Sequence, residues 1–335
     1  MMKAIVYTKY GPPDVLQLKD VEKPAPNTRD VLIKVRAVAV TSGDCKARGF
    51  KDIHSLFWIP SRVAFGIIKP RNTILGSELA GEVEAIGQDV SRFSKGDRVF
   101  GYTGLRFGAY AEYLCLPEDS VLAIKPANTT FEEAASVPFG SITALFFLRK
   151  GNIQNGQHVL INGASGAVGS AAVQLAKYFG AEVTGVCSTE KLNLVRSLGA
   201  DRVIDYTKED FTKIAGAYDI IFDTVGASSY ADCRDLLKQD GRYLLAVFGF
   251  KQLLQMLWTS IFGSKKVICA ISTERVEDLN FLTDLIEAGK MRSVIDRRYP
   301  LEQAADAHRY VEEGHKTGSV ILTLERNRET QERRR

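Results

Sequence analysis

The chain has 335 residues, 45% of them hydrophobic and 25% charged, with a formal net charge of +4. That length is more than one core normally serves, so two domains are expected, and the charge is too small to argue for a nucleic-acid partner. The five cysteines (Cys45, Cys115, Cys187, Cys233, Cys269) are odd in number, far apart and without C-x-x-C spacing, which argues against disulfide staples and a thiolate metal centre and for a reducing compartment, expected to be the cytoplasm.

The opening stretch MMKAIVYTKYG enters a strand pattern at once, without the apolar core of a secretory signal. No apolar run approaches the ~20 residues that span a bilayer. Residues 1–128 read as β, with strands expected at 3–7, 30–40, 81–87, 97–101 and 109–116. Short strands punctuated by Gly, Pro and Asp suggest an irregular barrel or sandwich. The segment 50–66, with Phe57, Trp58 and Phe65, reads as a pocket wall, with core packing the rival reading.

From Thr129 the character changes. Helices are expected at 132–135 and 142–148, broken at Pro138-Phe139-Gly140. Strands at 158–162, 181–186, 202–205, 218–223, 242–247 and 266–270 then alternate with helices at 168–179, 190–198, 208–214, 229–238 and 251–262. This alternation predicts a parallel, doubly wound sheet. Beyond it come a helix (276–288), an extended stretch (294–300), a helix (301–313) and a last strand (319–324). The Arg-rich end, 326–335, reads as a solvated, disordered tail.

The chain is organised around His158–Lys177. A short apolar strand leads into Gly163-Ala164-Ser165-Gly166-Ala167-Val168-Gly169, and a helix follows. Such a turn lets backbone N–H groups approach a pyrophosphate, and the helix N-terminus adds partial positive charge. The motif is A-x-G-x-x-G rather than G-x-G-x-x-G. Alone it could be a structural turn; the strand before it, the helix after it and the next strand make it a dinucleotide site. After that next strand, Ser188 stands where NAD enzymes place an acidic side chain for the ribose 2′-OH. Lys191 lies close enough to meet a 2′-phosphate, so NADPH is favoured over NADH. The rival reading turns Glu190 inward and leaves Lys191 as a solvated helix residue.

Several motifs together resemble the zinc-free, quinone oxidoreductase-like branch of the medium-chain dehydrogenase/reductase family. They are Ile74–Val83 (ILGSELAGEV), Lys95–Gly101 (KGDRVFG), Ala109–Tyr113 (AYAEY), the glycine turn, Ser197–Asp201 (SLGAD) and His315–Gly318 (HKTG). The likeness covers residues 3–324. It implies an α/β chain of two domains with the active site in the cleft: a GroES-like β-barrel catalytic domain (1–128 with 272–335) and an inserted Rossmann domain (129–271). It also implies a homodimer. Cofactor contacts implied by the resemblance are Thr143, Tyr206, Phe248 and Lys316, although Tyr206 and Phe248 could be packing residues and Thr143 a helix hydroxyl.

The chain departs from the zinc-dependent branch. Ser77 stands beside Glu78 where that branch has a histidine, and Cys45 is off register because Asp44 fits the motif of the zinc-free enzymes. The histidines His54, His158, His308 and His315 do not complete a ligand set, so no metal is expected. Without a Lewis acid the fitting substrates are intrinsic hydride acceptors, quinones and α,β-unsaturated carbonyls, with cofactor and positioning carrying the catalysis. Thr41 and Asp44 are the candidate catalytic residues, with helix capping as the rival role for Asp44. Alternatives are a reductase of one enoyl thioester and a non-catalytic NADPH-binding module. One segment fits none of this: Phe248–Phe262 (FGFKQLLQMLWTSIF) is apolar on several faces and flanked by lysines. It reads first as a dimer contact, with a substrate lid or shallow membrane contact as the lesser readings.

Overall fold

The structure is a computed structural model that describes residues 1–51, 55–214 and 216–324. In chain order the strands are β1 (Met2–Val6), β2 (Gln17–Val21), β3 (Asp30–Val40), β4 (Glu78–Ile86), β5 (Arg98–Tyr102), β6 (Tyr113–Pro117), β7 (Val121–Ile124), β8 (His158–Asn162), β9 (Glu182–Cys187), β10 (Arg202–Asp205), β11 (Tyr218–Asp223), β12 (Leu237–Leu245), β13 (Lys266–Cys269), β14 (Ile295–Pro300) and β15 (Ser319–Thr323). The helices are α1 (Ser42–Gly49), α2 (Ser55–Phe65), α3 (Phe131–Ala135), α4 (Pro138–Lys150), α5 (Ala167–Tyr178), α6 (Leu192–Ser197), α7 (Tyr230–Cys233), α8 (Phe250–Phe262), α9 (Val276–Glu287) and α10 (Ala304–Glu312). The expected tail, 326–335, lies outside the described residues, as does His54.

Two compact units form. The first comprises Met1–Ile53, Ile59–Pro138 and Ile295–Arg335; the second comprises His54–Trp58 and Phe139–Val294. The division falls later than 128 and 271, for a packing reason at each end. Helix α3 buries Ala134 and Ala135 and packs on β3, β4 and β5 of the first unit. The stretch around α9 is tied to the second unit by the Arg149–Asp278 ion pair and by hydrogen bonds between Gln174 and the backbone of Arg292.

In the first unit β3 is the spine. One edge pairs antiparallel with β4; the other is shared, β6 taking residues 30–34 and β15 taking 37–40. β15 thus completes the sheet that β3 begins, in the order β14-β15-β3-β4-β5-β7, while β1 and β2 pair in a separate two-stranded sheet. Alternation along β3 sends Val31, Ile33, Val35, Val38 and Val40 into a core that also takes Leu75, Leu79, Tyr110 and Ala307.

The second unit holds a parallel sheet in the order β10-β9-β8-β11-β12-β13. Strand order reverses between β8 and β11, and ligands of such sheets bind beyond the carboxyl ends of the strands at that point. Its core strands read as near-continuous apolar runs because both faces are covered. Three expected elements differ from the structure. Pro138-Phe139-Gly140 starts α4 instead of breaking a helix, because a proline at the first helical position loses no hydrogen bond. The helix expected at 208–214 is a single 3-10 turn, Phe211–Lys213, begun by Asp210 accepting from Thr212 N. The helix expected at 229–238 ends early, because Leu237 pairs with Tyr218 and Lys238 reaches Asp219 at 2.7 Å, so β12 starts at Leu237.

Candidate cofactor and active site

The turn after β8 is held by the chain's own packing. Gly163 has φ +80°, and a Cβ there would meet Thr224 Oγ1 at 2.6 Å and Val225 Cγ1 at 2.7 Å. A Cβ on Gly169 would lie 2.0 Å from Gly163 O. These two glycines are required for the turn to close. Gly166 differs: it is the N-cap of α5 without a side-chain cap, its φ is −75°, and a Cβ would find only Gly163 O, at 3.6 Å. Packing leaves space over Gly166, and the unpaired N–H groups of the first helical turn open there. That cradle fits a pyrophosphate. Ala164 is buried and accounts for the absent first glycine: its Cβ would lie 3.1 Å from a Cβ on Gly185 of β9, so the close approach of turn and strand is provided from the β9 side. Ser165 is buried, whereas Ala167 and Val168 are partly exposed at the helix start.

The ends of β9 and β10 bring the next residues together. Cys187 and Asp205 are register partners, and Tyr206 N donates to Cys187 O. Ser188 caps a short 3-10 turn (Thr189–Lys191), its carbonyl accepting from Lys191 N. Asp205 ties the two loops: it accepts from Thr189 Oγ1 at 2.5 Å, from Thr207 Oγ1 at 2.7 Å and from Thr207 N at 3.0 Å. Those hydrogen bonds, Thr189 first, hold its carboxyl below the usual range. Tyr206 is 55% exposed, so it is not a packing residue.

On the other side of the reversal, Asp223 at the end of β11 is fully buried. Its carboxylate accepts from Val225 N, Gly226 N and Ser228 N and from the hydroxyls of Ser228 and Tyr243, fixing the loop that lies against Gly163. Thr143 in α4 is buried and shares a hydrogen bond with Ser272 Oγ. Phe248, just before α8, packs edge-on against Phe57 at 5.5 Å, so part of the expected pocket wall is ring packing. Gly163 to Gly169, Ser188, Lys191, Tyr206 and Phe248 all follow the carboxyl ends of the parallel strands.

In the first unit, Thr41 and Asp44 form a reciprocal N-terminal cap of α1. Thr41 N and Oγ1 donate to Asp44 Oδ2 at 2.9 and 2.6 Å, and Asp44 N donates to Thr41 Oγ1 at 3.0 Å. The other oxygen, Asp44 Oδ1, accepts from Gly76 N at 3.1 Å. Burial pushes the Asp44 carboxyl up to about 6, against the lowering effect of the bonds from Thr41 and Gly76. Asp44 is 0% exposed. It caps α1, the rival role weighed for it, and its oxygens are taken up by Thr41 and Gly76. Thr41, buried beside it, has its proton committed to Asp44.

Next to them lies a chain of buried polar groups. Tyr110 Oη is 3.1 Å from His308 Nε2, and His308 Nδ1 is 3.3 Å from Cys45 Sγ. Burial, and after it the charge of Arg48, pulls His308 down to about 3, so the ring is neutral at pH 7. Burial also holds the Cys45 thiol well above its ordinary value. Arg48 is buried and paired with Glu312. Lys316, in the turn before β15, donates to Gly318 O at 2.5 Å. Among the described residues, no group of three or more His, Cys, Asp or Glu side chains is arranged to hold a metal ion.

Residues 27–126 match the Alcohol dehydrogenase GroES-like domain family, and residues 198–322 match the Zinc-binding dehydrogenase family. The chain is 35% identical to the 2-methylene-furan-3-one reductase of Solanum lycopersicum, over 96% of this chain and 79% of that protein. It is equally similar, with the same coverage, to the NADPH-dependent alkenal/one oxidoreductase of Arabidopsis thaliana. Among solved structures, the quinone oxidoreductase from Coxiella burnetii superposes with a TM-score of 0.85 at 30% identity, over 97% of this chain and 99% of that one. The chain belongs to the quinone oxidoreductase-like family of medium-chain dehydrogenases/reductases.

As a member of that family it is an NAD(P)H-dependent oxidoreductase, built from a GroES-like domain and a Rossmann domain. Several residues that shape its site were missed from the sequence. Asp205 and Asp223 are single acids at strand ends, and only the strand register shows what they gather. Gly140 lets α4 approach the glycine turn, since a Cβ there would lie 2.9 Å from Ala167 O. Its proximity to Pro138 was the available signal and was read as a break. Tyr110 and His308 carry no local pattern at all.

Proposed function

We propose that this quinone oxidoreductase-like chain is an NADPH-dependent, zinc-independent reductase that transfers hydride to quinones or α,β-unsaturated carbonyls, working as a homodimer. The observation that carries the cofactor choice is the loop after β9. Ser188 follows the strand with no carboxylate in that slot, Lys191 closes the same 3-10 turn, and the neighbouring acid, Asp205, is committed to Thr189 and Thr207. A 2′-phosphate would meet the Ser188 hydroxyl and the Lys191 ammonium there, while Glu190 of the same turn is exposed.

Zinc independence is supported by donor chemistry. Ser77 offers a poor ligand where a histidine is needed, and Cys45 is buried with its sulfur engaged by His308. When bound, NADPH supplies the hydride. The chain's own residues then bind and orient: the α5 N-terminus and Gly166 hold the pyrophosphate, Ser188 and Lys191 hold the 2′-phosphate, and Asp223 fixes the loop beside the turn. Positioning of this kind suits acceptors that need little carbonyl polarisation. The homodimer is supported by β13, an edge strand of the parallel sheet.

The test is NADPH oxidation, followed by absorbance, after chelator treatment and dialysis. Turnover with a quinone or an enone but not with a simple ketone is expected. Tight NADPH binding without turnover of any acceptor would favour a binding module, as the mutual commitment of Thr41 and Asp44 allows.

A further inference from the structure

Helix α8 carries two apolar faces, one on the core and one outside. Of its 13 residues only Thr259 is fully buried. Leu253 and Met256 pack against the core of the parallel sheet, and between them and β13 the Thr259 hydroxyl accepts from Val267 N and donates to Met256 O. The other large apolar side chains point away from the protein. Phe250, Leu254, Leu257, Trp258, Ile261 and Phe262 are all exposed, up to 74% at Phe262. Their spacing of i, i+4, i+7, i+8, i+11 and i+12 makes one continuous stripe about 18 Å long at 1.5 Å per residue. An apolar face this size on the outside of a domain marks an interaction surface.

Charge decides which kind. Between Phe248 and Ile271 there is no acidic residue, whereas Lys251 stands exposed beside the stripe and Lys265 and Lys266 follow its end. Lys265 and Lys266 hold their ammonium groups on the carbonyls of Arg234, Thr259 and Ser260, so two copies packed stripe to stripe would add the exposed Lys251 of each with no carboxylate from either segment, and unpaired like charges oppose association. An anionic lipid surface complements both features. It takes apolar side chains to the depth of the acyl boundary and leaves Lys251 among its headgroups, with tryptophan at the interface. We propose that α8 is an interfacial membrane-binding helix that docks the protein on anionic lipid surfaces. No helix among the described residues is long and apolar enough to cross a bilayer, so the contact is peripheral. It would hold the enzyme where lipophilic acceptors partition, but the proposal does not depend on the substrate class.

The experiment is co-sedimentation of the full chain with two sets of vesicles, one of phosphatidylcholine and one of phosphatidylcholine with a quarter phosphatidylglycerol. The oligomeric state is measured alongside by light scattering. Wild type should pellet with the anionic vesicles and be released by salt. Leu254→Glu/Trp258→Glu should lose at least about tenfold in partitioning at unchanged melting temperature. Lys251→Gln should lose about fivefold on anionic vesicles and little on neutral ones. Should the double variant fail to fold, Ile261→Ser, at a 71% exposed position, gives the same readout. Wild type remaining in the supernatant with both vesicles would overturn the proposal. So would full binding by a folded stripe variant. A stripe variant that turns a dimer into a monomer, with no lipid binding by wild type, would assign the face to a second copy instead.

Discussion

Gly76 N donates to Asp44 Oδ1 at 3.1 Å, joining the start of α1 to the residues that lead into β4. Gly76 has φ +94°, and a Cβ on it would lie 2.5 Å from the ring of Tyr110. Asp44 therefore holds in place the loop carrying Ser77. Asp44→Asn keeps the shape but sets an amide N–H₂ against at least one of the donors from Thr41 and Gly76. A loss of about 1–3 kcal/mol is expected, the cost of a buried donor left unpaired. Denaturant unfolding measures it; a loss below about 0.5 kcal/mol would contradict this role.

Asp44 and His308 give opposite pH dependences. The Asp44 carboxyl is raised to about 6, so the folded chain holds that proton more tightly than the unfolded one. Its contribution grows as pH falls from about 6 towards 4 and is lost as pH rises through 6. The His308 ring is lowered to about 3, so the unfolded chain takes up a proton that the folded one refuses, and stability falls as pH drops below about 6.5. Each group amounts to about 1.4 kcal/mol per pH unit, and across the shared window they cancel. Relative to wild type, Asp44→Asn should lose stability more steeply on acidification from pH 6 to 4, and His308→Asn less steeply. Melting temperatures across that range check both signs.

The glycines of the turn divide into two kinds. Gly169→Ala places a methyl 2.0 Å from Gly163 O and should cost about 2 kcal/mol or more of stability in the absence of nucleotide. Gly166→Ala meets nothing closer than 3.6 Å and should leave the melting temperature unchanged. Its methyl stands in the cradle over the α5 N-terminus, so NADPH affinity should fall at least about tenfold. Scanning calorimetry and fluorescence titration separate the two effects.

Cofactor choice is tested at the loop after β9. Ser188→Asp with Lys191→Ala removes an ammonium and adds a carboxylate. NADPH binding should weaken about 10–100-fold, the worth of a charge-assisted contact, while NADH is spared. An unchanged preference would mean that the 2′-phosphate is recognised elsewhere.

Much of the fold was legible because local chemistry and tertiary structure agree. Strands at 158–162, 202–205 and 218–223 are apolar runs bounded by turns, and the structure places β8, β10 and β11 there. The Thr41–Asp44 spacing could be read as a cap for the same reason. The early start of β12 is not legible, because the ladder to β11 pairs Leu237 and then skips to Arg242, with Asp240 at φ +65° in the bulge between. Tyr110 and His308, 198 positions apart, meet only through packing, which no local pattern encodes. Periodicity marked α8 as apolar but has no sign: it cannot tell which apolar residues face the sheet and which the outside, and only the structure puts Leu253, Met256 and Thr259 inward.

The central claim is hydride delivery to an activated acceptor without a metal-polarised carbonyl. Its most direct test is turnover of an α,β-unsaturated ketone by chelator-treated protein with NADPH deuterated at the transferring C4 position, followed by mass and NMR analysis of the product. The expected product is the saturated ketone with deuterium on the β-carbon and the carbonyl intact. Deuterium on the carbonyl carbon of an allylic alcohol, or activity that returns only when zinc is restored, would contradict it.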